Sequence, residues 1–197
     1  AIRKTNKCNL QCRFCYNYGE LDAIEPVGEG IWVIGGTKFY ENDIDLLLEI
    51  HKKPTGVAYV YLEPFMEIEK YYNIIQKFNK AGIYQHLYTN GTLATETTLK
   101  ALGEAGLNEL RFNLGASGCA DKVIENIGIA KKYIKKVGIE TPMTNEFFEK
   151  FFLKKYRQPL SLSMKENVPS FITVPETFRS SVSEPVPRSA DMFFFPG

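Results

Sequence analysis

Three cysteines fall within eight residues, Cys8-Asn9-Leu10-Gln11-Cys12-Arg13-Phe14-Cys15, spaced four and then three apart. In a loop, such gaps let three thiolates converge on one small object without a fourth protein donor. A structural zinc takes four ligands, normally as two close pairs separated by a longer span. No second pair exists here: Cys119 lies about a hundred residues away, and the two histidines are His51 and His86. Three thiolates around a [4Fe–4S] cluster leave one iron open, where a small ligand is activated. Four cysteines in a chain of this size do not make a disulfide framework, so the cluster of three points to a metal in a reducing, cytoplasmic compartment. A zinc clip or unpaired structural thiols is the plainer alternative.

The elements that must position this loop follow from periodicity. Residues 2–5 read as a short strand running straight into the cysteines, and 31–34 as a strand or hairpin arm. After Asn42, apolar residues at 44, 47, 48 and 50 predict a helix over 42–53. GVAYVYL at 56–62 predicts a buried strand. Residues 68–80 read as a helix stopped at Gly82, 84–89 as a strand ending in Asn90-Gly91, and 95–105 as a helix capped by Thr95 and stopped by Gly106. A strand at 107–114, a long helix at 121–137 closed by Gly138 and a last strand at 139–143 complete the series. Crossover helices between short strands make a parallel sheet with right-handed connections. The loops after the strands then share one rim, where α/β folds place their chemistry. Five such steps are fewer than a closed eightfold barrel needs, so the expected class is α/β, a partial, open (β/α) barrel of parallel strands.

The chain is 197 residues long, 44% hydrophobic and 24% charged, with a net charge of +1. That is enough apolar residue for a core and too little basic excess for a nucleic-acid protein. The most apolar runs, 44–50 and 193–195, are too short to span a bilayer, and no basic segment followed by an apolar stretch opens the chain. Lys131, Lys132, Lys135 and Lys136 read as a solvated helix face. One serine, Ser117, lies in residues 1–158 and seven lie beyond, as do six of ten prolines. We therefore divide the chain into a core at 1–143, a last helix at 144–158 and an irregular Ser/Pro-rich tail at 159–197. The break reads as truncation or frameshift, and the chain as a fragment.

The Cys8–Cys12–Cys15 spacing after a first strand, with aromatic Phe14 before the last cysteine, resembles the radical S-adenosylmethionine (SAM) superfamily, over roughly residues 1–143. The resemblance implies that the three cysteines hold a [4Fe–4S] cluster and that SAM chelates the fourth iron. One electron from the cluster would then cleave SAM to a 5′-deoxyadenosyl radical that abstracts hydrogen from a substrate. The family's Gly-Gly-Glu-Pro motif falls on Tyr61-Leu62-Glu63-Pro64, where Glu63 and Pro64 agree and both glycines are replaced. By the resemblance, Glu63 holds the SAM amino group, Asn90 reaches the ribose or carboxylate, and Arg111 and Asn113 approach the carboxylate from one side of their strand. Thr141–Met143 would pack on the adenine. Bland readings stand beside these: core packing for Phe14, a helix-start carboxylate for Glu63, a turn residue for Asn90, a pair with Glu109 for Arg111, and a thiol outside the ligand set for Cys119. The short loop and compact βα units look most like the activating-enzyme-like branch, which makes glycyl radicals on partner proteins; the implied partners are an electron donor such as ferredoxin or flavodoxin and a small-molecule or protein substrate. The second reading of the same residues is a truncated or degenerate module that holds iron–sulfur or zinc without radical chemistry.

Overall fold

Apolar runs too short for helices pair edge to edge, and the amphipathic segments between them cross over one side of the resulting sheet. The computed structural model describes residues 1–15, 17–19, 27–50, 56–140 and 142. The fold below belongs to the first of two units into which the chain divides, Ala1–Thr141 and Pro142–Gly197. The strands are β1 (Ile2–Arg3), β2 (Ile31–Ile34), β3 (Thr37–Tyr40), β4 (Gly56–Tyr59), β5 (Tyr84–Thr89), β6 (Glu109–Phe112) and β7 (Lys136–Ile139). The helices are α1 (Asp43–Ile50), α2 (Tyr72–Lys80), α3 (Glu96–Ala105) and α4 (Asp121–Ala130). All seven strands form one sheet in the order β3-β2-β1-β4-β5-β6-β7.

From β1 through β4, β5 and β6 to β7 every pairing is parallel, and each strand lies beside the next in sequence. That single winding direction is the topology of a (β/α) barrel, with all chain exits on one rim. Among the described residues the sheet stays open. Its far edge is a hairpin: β2 pairs antiparallel with both β1 and β3, and the β2–β3 turn uses Gly35 and Gly36, both at positive φ. The expected parallel sheet thus carries one antiparallel ribbon.

One face of the sheet is apolar and covered. Tyr59, Leu87, Leu110 and Phe112 are buried there with Ile75, Phe78, Leu99 and Val123 from the helices and the segments beside them. Gln85 sits in the same layer without an unpaired amide: its Nε2 donates to Ile75 O (3.0 Å) and its Oε1 accepts from Tyr59 Oη (2.6 Å). The opposite face carries Tyr84, His86, Tyr88, Glu109 and Arg111, all half-buried. Strand alternation sends successive side chains to opposite faces, so one strand supplies both layers.

Helix α3 starts and stops where its sequence says. Thr95 accepts from Thr98 N–H, Thr98 Oγ1 accepts from Thr95 N–H, and Gly106 ends the helix in the left-handed region. Two other helices differ from expectation. The segment predicted as a helix over 68–80 begins earlier as a 3-10 stretch, Pro64–Tyr71, broken by non-helical backbone at Glu67. The α-helix proper is Tyr72–Lys80. The helix predicted over 121–137 stops at Ala130, because 136–139 gains a ladder with β6. Gly138 therefore sits in a strand opposite Arg111, not at a helix end, and the last strand is Lys136–Ile139, not 139–143. The four lysines consequently share no helix face: Lys131 and Lys132 lie in a turn, and Lys136 Nζ stands 5.3 Å from the Tyr84 ring. The expectations for His51, Thr141, Met143, the helix at 144–158 and the tail at 159–197 lie outside the described residues.

The turn after β5 tests the close packing at the rim. Gly91 has φ +76°, and a Cβ there would meet Phe112 and Val123 at 2.7–2.9 Å. Gly91→Ala combines a left-handed penalty with overpacking and is expected to destabilise the fold by about 2–5 kcal/mol. Urea unfolding measures this; a loss below about 1 kcal/mol would mean that the turn is not locked as described.

Candidate functional site

The rim is assembled by loops that follow β1, β4, β5 and β6. Lys4–Cys15 leaves β1 and is held at its base by Tyr71, whose Oη accepts from Lys4 N (3.3 Å) and Thr5 N (3.2 Å). Within the loop, Cys15 N donates to Cys12 O (2.9 Å) and Tyr18 N to Cys15 O (3.0 Å), two successive tight turns. The structure brings Cys8, Cys12 and Cys15 into one another's electrostatic field. Burial pushes the Cys8 thiol up, against backbone hydrogen bonds from Leu10 and Asn9, with Glu63 and Cys15 adding to the rise. Burial also pushes Cys12 up, with Cys8 and Cys15 next. Its Sγ also lies 3.8 Å from Ala116 O. None of the four cysteines is in a disulfide.

Thiols whose burial and neighbours disfavour ionisation, as at Cys8 and Cys12, are donors that want a positive centre. Among the described residues, no three His, Cys, Asp or Glu side chains gather tightly enough to share one metal ion. A zinc ion needs its donors on a single centre. A four-iron cluster takes thiolates one to an iron. Three half-buried free thiols in one short loop, not meeting at a point, fit the cluster.

Glu63 is the hub beneath this loop. It is 1% exposed, and its carboxylate accepts three hydrogen bonds from the protein. Oε1 takes Phe65 N (3.0 Å) and Thr89 Oγ1 (2.8 Å), and Oε2 takes Asn90 N (2.7 Å). Its own N–H donates to Lys7 O (3.0 Å). Burial raises its carboxyl pKa, opposed by the bonds from Asn90, Phe65 and Thr89. The helix-start reading of Glu63 is thus realised, and the same carboxylate also ties β4 to β5.

Just before it, Tyr61 (φ +91°) and Leu62 (φ +59°) are non-glycine residues with left-handed backbone. These are the two positions at which the resemblance expected glycines. The backbone keeps the glycine conformation and the side chains have changed; what differs is the space beside the chain. The Arg3 guanidinium covers the Tyr61 ring at 4.7 Å.

Asn90 is buried and commits its amide locally. Oδ1 accepts from Thr92 N (2.9 Å) and Thr92 Oγ1 (2.6 Å), and Nδ2 donates to Asn9 Oδ1 (2.9 Å). Asn9 Nδ2 donates in turn to Thr92 Oγ1 (2.9 Å). Asn113 has left the strand: its Oδ1 accepts from Ala116 N (3.1 Å) and starts the short 3-10 turn Leu114–Ser117. It therefore does not continue the alternation with Arg111. Arg111 is paired as its bland reading had it, with Glu109 (Nε–Oε1, 2.8 Å), and additionally with Glu140 (2.9 Å) and Tyr88 Oη (2.7 Å). Phe14 stands 38% exposed on the cysteine loop. Cys119 follows the 3-10 turn with left-handed backbone (φ +58°).

Sequence reasoning missed Asn9, Thr89 and Asn126. Asn126 Nδ2 reaches from α4 to Gly91 O and Ala94 O, bracing the turn after β5 (3.1 and 3.0 Å). No periodicity marks a polar residue that serves a loop 32 to 35 residues away. A polar residue on an otherwise apolar helix face was the available signal for Asn126.

The model of the Radical SAM superfamily matches residues 2–151 of this chain. An uncharacterized protein of Methanocaldococcus jannaschii is 27% identical over 148 residues, covering 70% of this chain and 45% of that protein. The tungsten-containing aldehyde ferredoxin oxidoreductase cofactor-modifying protein of Pyrococcus furiosus is 26% identical over 156 residues, covering 70% of this chain and 39% of that protein. Among solved structures, native anSMEcpe with bound AdoMet superposes with a TM-score of 0.56 at 20% identity, covering 77% of this chain and 47% of the other. The same protein with AdoMet and Cp18Cys peptide gives 0.52 at 18% identity, covering 77% and 46%. At those identities the structural likeness is one of fold. This chain spans less than half the length of each of these proteins.

Two substitutions probe the rim. Glu63→Gln puts an NH2 group among three donors and is expected to cost about 1–3 kcal/mol of unfolding free energy; an unchanged denaturation midpoint would remove Glu63 as the hub. At Leu62, glycine should be more stable than alanine by about 1 kcal/mol, the reverse of their ordinary order. Thermal melts of Leu62→Gly and Leu62→Ala decide it, and the ordinary order would show that the left-handed backbone is not imposed on residue 62.

Proposed function

We propose that this chain, which belongs to the Radical SAM superfamily, is the cluster- and SAM-binding part of an enzyme that cleaves SAM reductively and uses the product to abstract hydrogen from a substrate. The observation that carries the reading is the loop of three half-buried free thiols, Cys8, Cys12 and Cys15, at the rim of a singly wound parallel sheet. When bound there, a [4Fe–4S] cluster supplies the single electron that splits the SAM sulfonium into methionine and a 5′-deoxyadenosyl radical.

The chain's own part is to hold and to shield. Cys8, Cys12 and Cys15 bind the irons as thiolates. Glu63 acts by positioning: its carboxylate holds the Phe65 and Asn90 N–H groups and the Thr89 hydroxyl, while its own N–H holds Lys7 O at the base of the cysteine loop. Asn90 clamps that loop through Asn9, and Asn113 shapes the 3-10 turn against which Cys12 rests. We assign Arg111, half-buried among Glu109, Glu140 and Tyr88, to the SAM carboxylate, and Phe14 to the apolar side of the cofactor. Tyr61 and Leu62 narrow the space that glycines leave open, and so keep water from the reacting atoms.

For the hydrogen donor we favour a polypeptide, a glycyl-radical-type partner among them. The solved anSMEcpe structure with Cp18Cys peptide supports that class, as do Phe14, Tyr18, Met66 and Leu93, large apolar side chains left exposed. The relative named as a cofactor-modifying protein keeps a non-protein substrate as the competing outcome. An electron donor of the ferredoxin or flavodoxin type completes the requirement.

Anaerobically reconstituted protein is expected to hold about four irons per chain and, given dithionite and SAM, to release 5′-deoxyadenosine. Cys12→Ala should lose both the brown chromophore and the cleavage. Stoichiometric zinc without cleavage would instead establish the non-catalytic module.

A further inference from the structure

Asn17 follows the last cysteine by two residues, inside the turn closed by Tyr18 N and Cys15 O. It is 6% exposed, and its Nδ2 is buried without a hydrogen-bond partner. Leaving an amide donor buried and unpaired costs about 1–3 kcal/mol, and native folds leave few such groups. Asparagines at turns ordinarily use their amides on nearby backbone, as Asn90 and Asn113 do on this same rim. Among the described residues, two other buried side-chain polar atoms lack partners, Trp32 Nε1 and Asn126 Oδ1. The first belongs to the hairpin strand β2, and the second is the unused end of an amide already braced by two bonds through its nitrogen. Among the described residues, Asn17 is the one that combines an orphaned donor with the cysteine loop.

We propose that Asn17 Nδ2 donates a hydrogen bond to a sulfur of the cluster held by Cys8, Cys12 and Cys15, and thereby raises its reduction potential. The inference rests on the cluster reading above. Sulfur, as thiolate or bridging sulfide, is an acceptor that such a centre would bring beside a donor the protein leaves unpaired. The reduced cluster carries one more negative charge than the oxidised one, so a fixed donor favours reduction. Asn17 is in this sense a tuning residue; it takes no part in holding iron or SAM.

The test uses wild type, Asn17→Leu and Asn17→Asp, reconstituted with iron and sulfide, counted for iron and titrated against potential by EPR. Leucine removes the donor at similar volume, and aspartate puts an acceptor in its place. Both variants should load iron as wild type does. At the wild-type midpoint, the ratio of reduced to oxidised cluster should fall about tenfold in Asn17→Leu, a shift of 59 mV for one electron, and further in Asn17→Asp. Before reconstitution, Asn17→Leu should be at least as stable as wild type, because an orphaned polar group has gone. Should leucine prevent folding, the aspartate variant decides alone. Full iron loading with the potential unmoved overturns the proposal and leaves the cluster standing. A wild type that takes up no iron removes the cluster reading and this inference together.

Discussion

A single buried carboxylate organises the rim. Glu63 accepts from Phe65 N, Thr89 Oγ1 and Asn90 N while its own N–H reaches Lys7 O. It thereby joins the cysteine loop, the end of β4, the end of β5 and the start of the following 3-10 stretch. A charge so deep is stable only when donors replace its lost water. Its four bonds reach three other stretches of chain, at Lys7, at Phe65 and at Thr89–Asn90, so these stretches cannot shift independently without breaking them.

That clasp explains how Tyr61 and Leu62 tolerate backbone that L-residues avoid. The left-handed region costs a non-glycine residue about 1–2 kcal/mol, and two in succession persist only where the surroundings over-determine them. Glu63 anchors one side of the pair, and Arg3 covers the Tyr61 ring. Strain lies directly beside the proposed cofactor site, on a backbone path that glycines would follow without it.

The two faces of the sheet divide the work. The helix-covered face is apolar apart from Gln85 and Thr89, both hydrogen-bonded within the protein. The other face carries an aromatic column, Tyr84, His86 and Tyr88, alongside Arg111 and its carboxylates. Burial and the bond to Glu109 push the Tyr84 phenol up to about 12, so it remains a donor to that carboxylate. Burial and Arg111 both push His86 down, favouring its neutral ring. Gly138, opposite Arg111 in the ladder, leaves the neighbouring lane without a side chain.

The sequence by itself determined what rests on local order. The three cysteines, the strand over 84–89, the Thr95 and Gly106 ends of α3 and the series of parallel crossovers are all readable from spacing, capping chemistry and period. It also marked Glu63, both as a motif residue and as a cap. Only the tertiary structure decided where segments 121–137 and 68–80 change character. Helical propensity at 131–137 is outweighed by a ladder with β6, and the 3-10 stretch Pro64–Tyr71 takes the first turn of the segment that apolar spacing had joined into one helix. It alone decided that Arg111 meets Glu140 as well as Glu109, that Asn113 turns to cap a 3-10 stretch, and that Asn9 clasps Asn90. Each of these bonds joins residues brought together by the crossovers or by a local backbone turn. Spacing along a chain does not encode such meetings; they come into being when distant strand ends reach the same rim.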